Sequence, residues 1–352
     1  MTVDMDKLNA FLGQFVGDLG AAVHTGMVVI GDKLGLYKTL ANEGPLTSAQ
    51  LSAKTKTDER YIREWLASQA AGGYITYNDA TKEFSLSEEQ KFTLADENSP
   101  AYLPGAFELA LGSLAAVPRI TESFRSGAGM GWHEHDDGVF HGCEKFFRPG
   151  YAANLVSAWI PALKDVSGKL KSGARVADVG CGKGASTILL AKAYPKSKFY
   201  GFDYHDLSIE AARETAKKEG VADRVTFEVA KAKEFPGKGY DFVAVFDCLH
   251  DMGDPVGAAK HVRQSLNNDG TWMIVEPFAN DQLKDNLNPL GRMYYSFSTL
   301  LCTPCSRSQE VGLCLGAQSG EKQIREVITS AGFSQFRRAT QTPFNIVYEA
   351  RP

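Results

Sequence analysis

The sequence predicts an α/β protein in which a largely parallel sheet follows a helical N-terminal region. The first observation is an apolar run that contains Asp178 and leads through three close glycines into an apolar helical pattern, Arg175-Val-Ala-Asp-Val-Gly-Cys-Gly-Lys-Gly-Ala-Ser186. This order of strand, glycine turn and helix opens a βαβ unit. The second is the alternation of strands and helices over residues 175–275. The third is a closing pair of strands, 333–339 and 345–349, whose short connection requires antiparallel pairing.

Length and composition indicate two domains and an ordinary globular protein. The chain has 352 residues, about twice the usual domain size. Its net charge of −4 gives no basic surplus for bulk nucleic-acid binding. We expect no membrane segment and no secretion signal, because no apolar run is long enough to span a bilayer and the first nine residues lack the required layout. The six scattered cysteines indicate reduced thiols and a cytoplasmic location.

Residues 1–97 are predicted to form a winged helix-turn-helix domain behind a long N-terminal helix. Apolar residues recur at helical spacing from Leu8 to Leu36. A capping box, Thr47 to Gln50, opens a short helix, and a third helix runs from position 57 to the glycines at 72 and 73. Two short strands joined by a turn, 74–77 and 83–86, then predict a hairpin.

Two functions compete for this domain. The third helix, 58–71, is placed to enter a DNA groove, or the fold serves as a dimerisation platform in which the helix over 8–34 packs against a partner subunit. Six basic and ten acidic residues lie between Glu43 and Glu97. A helix in the major groove needs flanks that neutralise phosphates. The charges therefore favour a homodimer and argue against nucleic acid as a partner.

Residues 98–173 are predicted to connect the two domains and to cover the substrate or cofactor, with a helix over 102–125. A loop rich in glycine and histidine follows and contains His133, His135 and His141. Because two histidines of a His-x-His pair diverge on a helix and no other ligand spacing accompanies them, we expect no metal there.

An aromatic cluster lies later in the connector, where Phe147 and Tyr151 belong to a helix predicted to begin near Phe146 and to end near Leu163. Two interpretations remain open. These rings cover the cofactor and line the acceptor pocket, or they are core between domains.

The glycine turn admits two cofactors. Gly180-x-Gly182-x-x-Ala185 satisfies the dinucleotide fingerprint with alanine in its last place. An acid inside the strand, Asp178, adds negative charge beside a pyrophosphate, but it suits a ligand that carries an ammonium and a sulfonium. Asp203 ends the second strand and does not discriminate, because both cofactors offer a ribose diol.

Asp178-Val-Gly-Cys-Gly-Lys-Gly184 resembles the first motif of the class I S-adenosylmethionine (SAM) methyltransferases, an acid followed by G-x-G-x-G. The parallel sheet closed by an antiparallel hairpin also resembles their Rossmann-like fold and is unlike a dehydrogenase. The resemblance implies SAM as cofactor and S-adenosylhomocysteine as product, with the glycines on the methionine moiety and Asp203 on the ribose. Residues 230–233 stand where the family often has an acid near the adenine, which leaves adenine recognition to backbone groups at Ala232 and to side-chain packing. The implied cofactor contacts are Asp178, Gly180, Gly182, Gly184, Asp203, Tyr204, Ala232, Asp247 and Cys248.

The loop after the fourth strand, Phe246-Asp-Cys-Leu-His250-Asp251, resembles small-molecule O-methyltransferases with an N-terminal winged helix, the plant phenolic type among them. The resemblance implies that His250 is the general base, paired with Asp251 and oriented by Glu276 after the fifth strand. A neutral imidazole suits proton removal near pH 7. The alternative is a His250 that caps the loop or binds the cofactor carboxylate. We expect no metal, because SAM carries its own leaving group.

The domain over 174–352 contains an insertion, 279–320, longer than ordinary connections, which suggests a lid. Its aromatic residues are predicted to line the acceptor pocket. The predicted acceptor contacts are Phe147, Tyr151, His250, Tyr294 and Tyr295. The cysteines of the insertion lack a fourth local zinc ligand and a thioredoxin-like context, so we interpret them as thiols that line the pocket. The alternative is that they are soft ligands for a metalloid acceptor. These cysteines are Cys302, Cys305 and Cys314.

The sequence as a whole predicts a cytoplasmic, homodimeric, SAM-dependent methyltransferase that acts on a small, fairly apolar hydroxyl compound. Two alternatives stay open. The first is a transcriptional regulator that senses SAM, and the second is methylation of nitrogen or carbon.

Overall fold

The computed structural model describes residues 3–352. The N-terminal elements are α1 (Met5–Lys33), α2 (Leu36–Glu43), α3 (Ser48–Thr55), α4 (Glu59–Ala71), β1 (Thr76–Asn78), β2 (Glu83–Ser85), α5 (Glu88–Leu94), α6 (Pro104–Ala115), α7 (Val117–Ser126) and α8 (Asp137–Asn154). The following elements are α9 (Ile160–Ala162), α10 (Val166–Ser172), β3 (Arg175–Val179), α11 (Ala185–Ala193), β4 (Lys198–Asp203), α12 (Asp206–Lys218), β5 (Val225–Val229), β6 (Tyr240–Phe246), α13 (Pro255–Ser265) and β7 (Leu266–Pro277). The last are α14 (Pro289–Phe297), α15 (Thr303–Arg307), α16 (Gly320–Ser330), β8 (Gln335–Gln341) and β9 (Asn345–Arg351). Leu155–Trp159 and Ser298–Cys302 are π-helical, and Trp132–Glu134, Leu249–Asp251 and Leu283–Asn286 are 3₁₀ turns.

The chain forms two compact units. One holds the residues up to 112 together with 137–149, and the other holds 113–136 and 150–352. The connector defined from the sequence is thus divided between the units. No helix in the described part of the chain is both long and apolar enough to cross a bilayer.

The N-terminal unit contains the predicted winged helix. Thr47 and Gln50 form the expected capping box at the start of α3, and β1 pairs antiparallel with β2. Apolar side chains of α2, α3 and α4 make the core, with Leu51 and Leu66 fully buried. The Trp65 indole N–H donates to the Met27 carbonyl oxygen at 2.8 Å, which ties α4 to α1.

The C-terminal unit is built on a seven-stranded sheet of order β5-β4-β3-β6-β7-β9-β8. The first five strands in this order run parallel, and β9 pairs antiparallel with β7 and β8. The predicted α/β fold class is therefore confirmed. Strand order reverses beside β3, where β4 lies on one side and β6 on the other. In such sheets the ligand lies beyond the carboxyl ends of the strands at this reversal.

The structure differs locally from the sequence expectation. The helix expected over 102–125 is broken at Ala116 into α6 and α7, and a proline opens the second piece. The aromatic helix begins earlier than expected, at Asp137, and tolerates Pro149 in its interior. The insertion over 279–320 is mostly helical and includes α14, α15 and the π-helical turn Ser298–Cys302.

Candidate active site

The glycine turn after β3 has three residues in the left-handed region, Gly180, Gly182 and Gly184, with φ of +75°, +50° and +80°. A Cβ on Gly180 would lie 2.6 Å from Cys248 Sγ, and one on Gly184 would lie 2.6 Å from the Phe227 ring. A Cβ on Gly182 would meet nothing within 4 Å. The first and third glycines therefore allow close packing, whereas the backbone at Gly182 faces open space in which a ligand fits.

Asp178 lies in β3 directly below this turn and is 1% exposed. Its Oδ2 accepts hydrogen bonds from Ser186 Oγ and Thr187 Oγ1, both at 2.6 Å. Its Oδ1 is buried and has no hydrogen-bond partner among residues 3–352. Burial raises the pKa of the carboxyl to about 6, although the two hydroxyls lower it. An unpartnered carboxylate oxygen under the turn fits an ammonium group and does not fit a pyrophosphate.

Asp203 ends β4 beside the same turn. Its Oδ2 accepts the Gly182 N–H and its Oδ1 accepts the His205 N–H, both at 2.9 Å. Tyr204 follows and is 41% exposed. The Ala230 N–H donates to the Asp203 carbonyl oxygen at 2.9 Å, so the turn that carries Ala232 begins next to this strand end. Each carboxylate oxygen of Asp203 retains acceptor capacity for a ribose hydroxyl.

His250 and Glu276 form a buried pair at the carboxyl ends of β6 and β7, each 3% exposed. His250 Nδ1 lies 2.5 Å from Glu276 Oε2, and Glu276 Oε1 accepts the Leu249 N–H at 3.0 Å. The other ring nitrogen, Nε2, lies 3.2 Å from Asp251 Oδ1. The loop after β6 and the end of β7 thus fix the imidazole on both sides.

The two acids change the protonation of His250. Burial lowers the pKa of the imidazole, but the negative charges of Glu276 and Asp251 outweigh burial and hold the pKa well above its ordinary value. The sequence suggested a neutral imidazole near pH 7. The folded chain favours the charged form of His250, because the negative charges of two neighbouring carboxylates stabilise the imidazolium.

Asp247 lies between this pair and the aromatic residues. It has a φ of +49°, which is rare for a residue other than glycine and is concentrated at functional sites. Its carboxylate accepts the Tyr151 hydroxyl at 3.1 Å and the Asn345 amide at 2.8 Å. Burial, followed by the charge of Glu276, raises the pKa of Asp247 to about 7. Sequence reasoning missed Asn345, which lies on the closing strand β9.

The predicted acceptor residues differ in their burial, in their contacts and in the unit to which they belong. Tyr151 is buried against the Phe246 ring at 5.1 Å. Tyr294 is buried and donates to the Phe344 carbonyl oxygen at 2.8 Å. Tyr295 is half-buried on α14, and no contact with His250 is described for it. Phe147 is half-buried on the part of α8 that belongs to the N-terminal unit.

The insertion is attached to the loop after β6. Ser306 Oγ donates to the Met252 carbonyl oxygen at 2.9 Å, and the Gly316 N–H donates to the His250 carbonyl oxygen at 3.3 Å. These bonds bring Cys302 to His250 and Asp251, so that one donor atom from each lies within 4.8 Å of the others. The sequence predicted no metal ligands. This group joins residues far apart in the chain, so no local spacing could reveal it.

A further segment of the same unit closes over Tyr204. The Met130 N–H donates to the Pro304 carbonyl oxygen at 3.0 Å. The ring of His133 lies 6.2 Å from the ring of Tyr204, edge to face. Part of the predicted cover therefore lies between the insertion and the end of β4.

The site has an excess of negative charge. Five carboxylates and one imidazole lie at the carboxyl edge of the sheet, and none of the five pairs with a lysine or arginine among the described residues. These carboxylates are Asp178, Asp203, Asp247, Asp251 and Glu276. Such a set suits a cationic ligand, because uncompensated buried charge is unfavourable.

The chain is similar in sequence and in fold to known proteins. Residues 170–332 match the family described as Methyltransferase domain, and residues 22–95 match the Rv2258c-like winged HTH domain. The 27-O-demethylrifamycin SV methyltransferase of Amycolatopsis mediterranei is 37% identical over 87 residues, which is 24% of this chain and 32% of that protein. The chain therefore spans about a third of that curated relative.

Solved structures are similar over nearly the whole chain. A candidate O-methyltransferase of Nostoc punctiforme has a TM-score of 0.75 at 19% identity and covers 97% of this chain and 98% of its own. Human N-acetylserotonin methyltransferase, solved in complex with SAM, has a TM-score of 0.73 at 15% identity, with 100% and 99% covered.

The fold is thus that of the solved methyltransferases to which the chain is similar. In the sequence, a winged helix-turn-helix domain of the Rv2258c-like type precedes a methyltransferase domain. The resemblance proposed from the sequence is confirmed at this level.

Proposed function

We propose that the protein transfers a methyl group from SAM to a hydroxyl oxygen of a small, fairly apolar acceptor. The observation that carries the proposal is the buried His250–Glu276 pair beside the cofactor turn. Cys248, two residues before His250, lies against Gly180 and donates to the Val179 carbonyl oxygen at 3.4 Å. The loop that holds the base and the turn that holds the cofactor are therefore in contact.

The cofactor supplies an electrophilic methyl group on a sulfonium. The Asp178 Oδ1 atom and the backbone at Gly182 would hold its amino-acid end, and Asp203 would accept its ribose hydroxyls. Tyr204 and the turn at Ala232 would border the adenine. The negative charge of the site favours the positively charged donor over its neutral product, which promotes exchange after each turnover.

The base is His250. Glu276 accepts the Nδ1–H, which fixes the ring and leaves Nε2 to take the proton from the acceptor hydroxyl. Asp251, beside Nε2, stabilises the imidazolium that results. The acceptor would lie against Tyr151, Phe246 and Tyr294, whose rings favour an apolar body.

We further propose that the protein is a cytoplasmic homodimer. The first two-thirds of α1, a helix of 29 residues, exposes a run of large apolar side chains. This exposed set includes Phe11, Leu12, Phe15, Val16, Leu19 and Val23. A second copy of α1 offers a matching apolar surface, and such surfaces mark contact sites. The six cysteines form no disulfide among residues 3–352, as expected in a reducing compartment.

Two alternatives to methyl transfer to a hydroxyl remain, and each has its own test. Methylation of nitrogen or carbon would use the same cofactor site with a different acceptor. A regulator that senses SAM would use α4 on DNA, but Arg60 pairs with Glu64 and Arg63 pairs with Glu59 on that helix. Its basic groups are thus already neutralised.

The deciding experiment is a product screen with methyl-labelled SAM across phenols, fatty acids and amines. O-methylated phenols would support the proposal, and products labelled only on nitrogen or carbon would refute hydroxyl transfer. A gel-shift titration with genomic fragments at moderate salt separates the regulator. Specific binding that is lost in an Arg60→Glu, Arg63→Glu variant would favour the regulator.

The dimer is tested by light scattering on Phe15→Glu, with Gln14→Glu on the same helix as the control. The molar mass of Phe15→Glu should fall to that of one chain, whereas that of Gln14→Glu should remain that of a dimer. A wild-type protein that elutes as a monomer would refute the dimer.

A further inference from the structure

We propose that His250, Asp251 and Cys302 form a binding site for a thiophilic divalent cation of the zinc type. One donor atom from each residue lies within 4.8 Å of the other two. In a tetrahedral zinc site the donor atoms lie roughly 3.3–3.8 Å apart, given bonds of about 2.0–2.3 Å. Only a small contraction is therefore needed to close the three donors on one ion.

The donor set has the chemistry of zinc. It offers one imidazole nitrogen, one carboxylate oxygen and one thiol sulfur, the three ligand types that zinc uses in proteins. Three protein ligands leave a fourth position open. The site is also buried, because His250 and Cys302 are 3% and 7% exposed.

The surroundings prepare the imidazole as a ligand. Glu276 Oε2 takes the Nδ1 side at 2.5 Å, so the remaining nitrogen, Nε2, points to Asp251. A carboxylate on the far nitrogen is the usual arrangement for a histidine that binds metal, since it fixes the tautomer and raises the basicity of the ligand. Here Glu276 is that partner.

Two independent features point to the same place. Asp251 Oδ1 is a buried oxygen without a hydrogen-bond partner among residues 3–352, although it lies 3.2 Å from His250 Nε2. Cys302 is the last residue of the π-helical turn Ser298–Cys302. Such turns are rare and occur frequently at functional sites. A dication would also offset the carboxylates that no lysine or arginine neutralises.

The cation and the base role of His250 exclude each other, because both use the lone pair on Nε2. This second claim rests on the proposed function. It predicts that zinc inhibits methyl transfer in competition with the acceptor and leaves the affinity for S-adenosylhomocysteine unchanged.

The binding claim is tested on the full chain with Co²⁺ as the probe, after removal of metals with a chelator. One equivalent should produce the near-ultraviolet thiolate-to-cobalt absorption and the visible bands of a tetrahedral ion. Cys302→Ser should abolish the thiolate absorption, and Cys143→Ser, a control in the other unit, should keep it. Glu276→Gln should weaken Zn²⁺ binding by about 10–100-fold.

Three results would overturn the proposal. The wild type could give no thiolate band, Cys302→Ser could retain it with a native circular dichroism spectrum, or Cys143→Ser could lose it. Methyl transfer that rises with zinc would overturn the exclusion of the two roles. Absorption needs no turnover, so an absent methyltransferase activity would contradict the proposed function and leave the cobalt result to be judged separately.

Discussion

Charged side chains have different partners on α4 of the winged helix and at the carboxyl edge of the large sheet. On α4 each arginine has an acid one turn away, with Arg60 and Arg63 each 2.5 Å from a glutamate oxygen. At the sheet edge Asp178, Asp203 and Asp247 have hydroxyl, amide and backbone donors but no lysine or arginine partner among the described residues. The charges on α4 are therefore already neutralised within the helix, whereas the carboxylates at the sheet edge require a ligand to offset their charge.

From this difference we infer that the carboxyl edge of the sheet, and not α4, is the functional surface of a chain whose N-terminal fold suggests DNA binding. Exposed pairs spaced four residues apart contribute little and leave little free charge for a phosphate backbone. Buried carboxylates without counter-charges are unfavourable unless a bound group offsets them. A cluster of buried carboxylates with shifted pKa values and without counter-charges is a better indicator of a functional site than the fold of a domain.

The largest expected effect comes from removing the proposed base, His250. His250→Ala should lower kcat by about 10²–10⁴-fold, because proton removal by a positioned base is worth that much. The dissociation constant of S-adenosylhomocysteine, measured by calorimetry, should stay nearly unchanged. His141→Ala, which truncates an exposed imidazole on α8, is the control. An equal loss of turnover and cofactor affinity would mean that His250 positions the cofactor and is not the base.

The next effect concerns Asp203, the acid proposed to bind the ribose. Asp203→Asn should weaken S-adenosylhomocysteine by about one to two orders of magnitude, because charged hydrogen bonds are each worth roughly 1.5–3 kcal/mol. Asp206→Asn, three residues later and exposed, is the matched control. Unchanged affinity in Asp203→Asn would place the ribose elsewhere, and tight binding of a nicotinamide dinucleotide in its place would contradict the cofactor assignment.

Much of the fold could be predicted from the sequence, because it is determined by patterns of neighbouring residues. The glycine turn, the alternation of strands and helices and the capping box at Thr47 each depend on neighbouring residues. The break between α6 and α7 was missed, since a proline can open a helix as well as end one.

The site was predictable only in part. Asp178, Asp203 and His250 each end or adjoin a strand, and parallel strands bring such ends together. The Tyr151–Asp247 and Asn345–Asp247 bonds join residues 96 and 98 positions apart. Cys302 likewise reaches His250 from the insertion. No spacing rule links such positions, and the raised pKa of His250 depends on two acids whose distances only the fold determines.

A third prediction uses that pKa. As the pKa of His250 is held well above its ordinary value, its neutral, basic form appears only as the pH rises beyond the usual imidazole range. The acid limb of kcat/KM should therefore lie well above pH 6.5, a value typical of free imidazole. Glu276→Gln removes one of the charges that raise the pKa, so the limb should move to lower pH while the maximal rate falls. A limb that stays in place would show that another group controls it.

The smallest effect is expected on α4, and it tests the other half of the comparison. Arg63→Ala removes an exposed pair with Glu59, so the thermal midpoint and kcat should both remain within experimental error of the wild type. Leu66→Ala on the buried face of the same helix is the contrast, because Leu66 is fully buried. That substitution should lower the free energy of unfolding by about 2–5 kcal/mol. If the arginine substitution lowered turnover or the midpoint as strongly as the leucine substitution, the charges of α4 would be essential to the protein, and the contrast with the sheet edge would be wrong.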